Sequence, residues 1–113
     1  MANPVVHFEI MGTDAAKTQA WYGELFDWKI DADNEWKYGL VEKQEGGIGG
    51  GVGSNPDGKP AVAVYVQTSD PQATLDKAVA MGATVLMGVT ELPMVTMALF
   101  WDPDGNMVGL VKG

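Results

Sequence analysis

His7 and Glu9 are the two residues of this chain whose types and spacing most readily support chemistry. They stand two apart in "VVHFEIMG". In an extended strand such residues share a face, with side chains about 7 Å apart. An imidazole beside a carboxylate can move a proton near neutral pH. The same two groups can equally be a hydrogen-bonded pair that seats a half-buried histidine. A carboxyl group taken out of water would have a raised pKa and serve as a base; one at a strand end would reach solvent. No Ser/His/Asp or Cys/His set can be assembled beside them: His7 is the only histidine, there is no cysteine, and Ser54 and Ser69 lie in a connecting stretch and next to a helix cap. Nucleophilic catalysis therefore has no support, and disulfides are excluded.

A second group is aromatic. Trp36, Tyr38, Tyr65 and Trp101 fall in strand-like runs. Aromatic side chains lining a cleft suit planar or cationic ligands, whereas the same residues facing inward simply fill a core. Trp21, Tyr22, Phe26 and Trp28 cluster at the end of the first helix and read as packing. The seven methionines, among them Met87, Met94, Met97 and Met107, would give either an adaptable wall or ordinary core. The glycine-rich "EGGIGGGVGSNPDG" lacks the GxxxxGK[ST] pattern of a phosphate loop. Its glycines read as a bulged strand or a close approach to the backbone.

The elements that must carry these residues occur twice. "VVHFEIMGTD" and "AVAVYVQTSD" are alternating β-rich runs that each end at a helix cap, and their Asp14 and Asp70 are 56 residues apart. His7 and Glu9 of the first run thus match Ala63 and Tyr65 of the second. Asp70-Pro71 is an N-cap followed by a proline whose missing N–H is harmless at the first helical position. Leu75, Ala78, Val79 and Gly82 continue with helical spacing. In the first half Thr13 or Asp14 caps a helix carrying Trp21/Leu25 and Tyr22/Phe26 as i,i+4 pairs, with its stop near Asp27. Three strand-like runs follow each helix: 28–31, 35–42 and 47–52, then 84–90, 94–101 and 106–112. The last strands rhyme, Ile48-Gly49 against Val108-Gly109. The order β-α-β-β-β therefore occurs twice, as module 1 over about residues 4–53 and module 2 over about 60–113, joined by a polar linker at 54–59. The expected fold class is α+β: one domain, two tandem β-α-β-β-β modules forming a curved mixed sheet, a concave cleft on one side and helices on the outer face.

With "HFEIMGTDAAKTQAWYGELFDWKI", "AVYVQTSDPQATLDKAVAMGATV" and the closing "DPDGNMVGLV", the chain resembles the vicinal oxygen chelate superfamily of glyoxalases, bleomycin-resistance proteins and extradiol dioxygenases. The resemblance runs over essentially the whole chain. It implies a divalent metal held by side chains from the first and last strand of each module, at positions that map by the repeat onto His7, Gly49, Ala63 and Gly109. Only His7 has a side chain able to bind metal, and a catalytic site needs about three protein ligands. No metal and no cofactor is therefore expected.

The 113 residues carry a net charge of −8 with only seven scattered basic residues, which excludes a phosphate-binding surface for nucleic acid. No apolar run nears the roughly 20 residues of a membrane span, and the N-terminus has no signal-peptide pattern. A cytoplasmic protein is expected. The expected function is binding of a small organic ligand, cationic or planar, by His7, Glu9, Trp36, Tyr38, Tyr65 and Trp101. The alternative is a lyase- or oxygenase-like enzyme, either metal-free with His7 and Glu9 as its acid–base pair or with relocated metal ligands. The resemblance also implies a homodimer.

Overall fold

The computed structural model describes residues 2–113, which form two helices and eight strands. In chain order these are β1 (Val5–Gly12), α1 (Ala15–Phe26), β2 (Ile30–Asp31), β3 (Gly39–Val41), β4 (Gly49–Ser54), β5 (Ala61–Thr68), α2 (Pro71–Ala80), β6 (Thr84–Glu91), β7 (Thr96–Trp101) and β8 (Met107–Lys112). The fold is α+β and repeats β-α-β-β-β, as the sequence predicts. Two compact units result: His7–Val62, and Ala63–Gly113 with the N-terminal segment up to Val6. Their boundaries fall two residues inside β1 and β5.

In the His7–Val62 unit the strand order is β2-β3-β4-β1, with β1 and β4 parallel and the other pairs antiparallel. Asp14 caps α1 by accepting a hydrogen bond from the Lys17 amide at 3.2 Å. The helix ends at Asp27, which takes the left-handed conformation at φ 57°. Alternation along β1 gives its two faces different tasks. Phe8 turns toward the helix side, where its ring lies 5.4 Å from that of Trp28. Trp28 in turn stacks on Tyr22 of α1 at 5.7 Å and 12°. Offset stacks of this kind add about 0.5–1.5 kcal/mol each beyond the area they bury. The cluster read from sequence is thus real, but its outer members Trp21 and Phe26 are more than half exposed. His7, Glu9 and Met11 occupy the opposite face, beside Gly49, Gly51 and Gly53 of β4.

The second unit repeats the plan with order β5-β8-β7-β6, β5 and β8 parallel, the rest antiparallel. Asp70 accepts from the Ala73 amide at 3.0 Å and Pro71 opens α2. Leu75 of α2 packs on Ala98 and Leu110, with Val66, Val89 and Phe100 around them. The other sheet face carries Tyr65, Gly109, Leu99, Met97, Met107 and Trp101, as the register of β5, β8 and β7 requires. Met87 joins it across a bulge in β6, whereas Met94 is fully in solvent at 93% exposure. The closing turn is tied by Asp102. Its carboxylate accepts from the amides of Asp104 and Asn106 and from the Asn106 side chain, all at 2.9 Å. Gly105 supplies the one positive φ of that turn, 90°.

Candidate functional site

Three side chains meet on the helix-free face of the His7–Val62 unit. The Tyr38 hydroxyl lies 3.0 Å from His7 Nε2 and donates to Glu9 Oε2 at 2.9 Å. His7 and Glu9, two strand positions apart, are therefore linked through a phenol from a neighbouring loop. The His7 and Tyr38 rings are nearly parallel, 21° apart in plane with centroids separated by 6.4 Å. All three residues are half-buried. Burial holds the His7 imidazole below its ordinary pKa, because a charged ring loses solvation there. At neutral pH His7 is thus a neutral donor–acceptor, not a cation.

Tyr38 reaches this position because of residues that give it room and others that hold its backbone. A Cβ on Gly51 would run into the Tyr38 hydroxyl and ring, so the bare strand position is the space the phenol fills. Asn34 clamps the Tyr38 main chain at both ends. Its Nδ2 donates to the Tyr38 carbonyl at 2.6 Å, and its Oδ1 accepts from the Tyr38 amide at 3.0 Å. Between them Lys37 adopts φ 55°, and Gln19 of α1 donates to the carbonyls of Lys37 at 2.9 Å and Val52 at 2.7 Å. The loop is fixed to the helix on one side and to β4 on the other.

The sequence predicts one strand over 35–42, but only Gly39–Val41 is strand. Lys37 in the left-handed region breaks the extended run, because an L-residue there turns the chain. Trp36 consequently sits in a turn at 72% exposure, while Tyr38 is delivered to the sheet face. Tyr65 and Trp101 belong to the other unit. Tyr65 is only 5% exposed, its ring lying where a Cβ on Gly109 would be. Trp101 ends β7 opposite Met107, half-buried. The structure therefore brings together His7, Glu9 and Tyr38, and sets Trp36 apart from them in its turn. Gly51, Asn34 and Gln19 build the site although their residue types do not mark them as site residues in the sequence. Asn34 four positions before Tyr38 was a usable signal for Gly51's tenant, since an Asn that bonds nearby backbone groups marks a built turn.

The register also refines the repeat. His7 faces Gly49 and Glu9 faces Gly51 in the first unit, while Tyr65 faces Gly109 in the second. Since Glu9 matches Tyr65 in the repeat, the counterpart of Gly109 is Gly51, two residues beyond the Gly49 suggested by the rhyme. Each of these two bare positions is covered by a tyrosine ring. This donor set does not fit a resident metal. Glycine stands at 49, 51 and 109 and alanine at 63. Among the described residues no three His, Cys, Asp or Glu side chains converge.

A mixed sheet built from paired β-α-β-β-β modules is the architecture of a glyoxalase-like class of protein. The profile of the Glyoxalase/Bleomycin resistance protein/Dioxygenase superfamily matches residues 5–110. The chain belongs to that superfamily. No curated protein matches it. Among solved structures it is similar to a hypothetical protein of Bacillus halodurans C-125, at 11% identity and TM-score 0.71 over 100% of this chain and 96% of that one. Methylmalonyl-CoA epimerase from Mycobacterium tuberculosis superimposes with TM-score 0.68 at 12% identity, covering 96% of this chain and 86% of the other. A superfamily member from Vibrio splendidus 12B01 gives 0.65 at 13%, covering 99% and 100%. At such identities the likeness is one of fold.

Proposed function

We propose that this protein binds a small organic ligand, cationic or planar, on the face formed by His7, Tyr38 and Glu9, without a resident metal. The observation that carries this reading is the Tyr38 hydroxyl seated over Gly51 between His7 and Glu9. It puts an aromatic ring, an anionic carboxylate and a neutral imidazole side by side, a combination suited to a cation or a planar donor. The net charge of −8 favours approach of a cation over an anion. Tyr65 and Trp101, on the second unit's own helix-free face, are proposed as ligand contacts of that unit. The test is calorimetric titration with matched aromatic cations, neutral isosteres and anions in the presence of a chelator. The reading expects the cation to bind most tightly and Glu9→Gln to weaken it by roughly tenfold or more, the scale of one lost charged hydrogen bond. Equal affinities for cation and anion, unaffected by Glu9→Gln, would overturn it.

A metal-free acid–base enzyme is the second reading, and the same hydrogen-bonded row favours it. Imidazole, phenol and carboxylate in sequence can pass a proton to or from a bound carbon acid. Turnover abolished in both His7→Ala and Glu9→Gln would support it; activity unchanged in His7→Ala would remove His7 from any mechanism. The proposal further takes the two modules as halves of one domain and the working form as a cytoplasmic homodimer. Absence of cysteine supports that compartment, and light scattering reads the oligomeric state.

A further inference from the structure

We infer that Tyr38 is the positioning residue of this site: its hydroxyl, wedged over Gly51 and donating to Glu9, fixes His7 as the tautomer protonated on Nε2. The inference rests on the reading of the His7 face as the functional site, but its test needs no ligand. A phenol has a single proton. That proton is directed at Glu9 Oε2, which accepts it at 2.9 Å. The contact of 3.0 Å between the same oxygen and His7 Nε2 can then be a hydrogen bond only if the imidazole donates. The chain of donation runs His7 Nε2–H to Tyr38 Oη, and Tyr38 O–H to Glu9. Neutral His7 carries its lone pair on Nδ1. Glu9 therefore sets the protonation pattern of a histidine two residues away by orienting the phenol between them.

The surroundings leave the phenol little alternative. Its backbone is held at both ends by Asn34, its loop is pinned by Gln19 to β4, and a Cβ added at Gly53 would come within 3.3 Å of its ring. Gly51 is glycine because any side chain there would occupy the volume of the phenol. Tyr38 thus substitutes for the strand side chain that Gly51 lacks, and it brings a hydroxyl in place of that side chain's own group.

The chain has one histidine, so long-range 15N correlation spectra of the imidazole read its tautomer without assignment ambiguity. At pH 8, where His7 is neutral, the wild type should show Nε2–H in dominant excess. Tyr38→Phe keeps the ring and should shift the tautomer ratio roughly tenfold toward Nδ1–H, the scale of one hydrogen bond. Glu9→Gln retains an acceptor and should preserve the wild-type pattern. Glu9→Leu removes that acceptor and should move the ratio in the direction of Tyr38→Phe or beyond. Gly51→Ala should do the same by expelling the ring; if that variant does not fold, the Tyr38 and Glu9 variants decide alone. A wild type protonated on Nδ1, or a ratio unmoved by both Tyr38→Phe and Glu9→Leu, would overturn the inference. Failure of every ligand to bind, with the tautomer behaving as stated, would defeat the binding proposal and leave this one standing.

Discussion

Two tyrosine side chains of this protein fill the room left by glycines. Tyr38 lies over Gly51 and Tyr65 over Gly109. Gly109 is the position at which the superfamily resemblance places a metal-binding carboxylate, so its bareness invites simple restoration. Gly109→Glu should fail to create a metal site. Its Cβ would meet the buried Tyr65 ring, and neither Gly49 nor Ala63 supplies a further donor. We expect it to destabilise by about 1–3 kcal/mol, as overpacking does, with no heat on titration of divalent metal. Chemical denaturation and calorimetry check the two halves. A pH effect belongs to the same scale. Burial lowers the folded-state pKa of His7 below the unfolded value of about 6.5. Between the two values the unfolded chain binds more protons, so stability falls as pH drops through 6.5 and levels off below the folded pKa. His7→Gln should remove that component, so the wild-type minus variant stability should slope in this window and be flat above it.

At the scale of elements, what could be read in the sequence was whatever depends on near neighbours. Both helix caps, the stop at Asp27, the proline opening α2 and the Asp-Pro-Asp-Gly-Asn turn are local devices, each carried by one or two side chains acting on adjacent backbone. Asp70→Ala should cost about 1 kcal/mol through loss of its cap, measurable as a lowered denaturation midpoint. Asp102 has its carboxyl held below the usual range, first by the Asn106 side chain and then by backbone amides. A depressed carboxylate stabilises above its unfolded pKa, and that contribution is lost as pH falls through the folded value. Asp102→Asn should abolish this acid-dependent part of the stability. What the sequence did not reveal was the end of a strand. The alternation through Trp36, Tyr38 and Leu40 looks extended, yet Lys37 at φ 55° and the Asn34 clamp interrupt it. Periodicity reports which residues share a face, and a single left-handed residue is invisible to it. Glu9 and His7 can be placed on one face for the same reason; Tyr38 falls in the same expected ligand set, but its hydroxyl between the two is not legible, because it comes from 29 and 31 residues away.

At the scale of the whole molecule, the repeat made the fold legible. Two modules of one pattern leave few arrangements, and superfamily membership over residues 5–110 agrees with it. Leu75, Ala98 and Leu110 form a buried cluster under α2. Leu110→Ala should lose about 2–5 kcal/mol, readable by thermal or denaturant unfolding. No helix among the described residues is long and apolar enough to cross a membrane. The function is less legible than the fold because membership fixes a scaffold while the chemistry rests on individual positions. Here the positions mapped for a metal set carry His7, two glycines and an alanine, and Tyr38 bridges His7 to Glu9. The most direct test of this account is titration of the chelated protein with an aromatic cation, followed by the same titration after adding a divalent metal. The account predicts saturable binding to the chelated protein, weakened by Glu9→Gln and unaffected by the metal. Binding that appears only when the metal is added would contradict it.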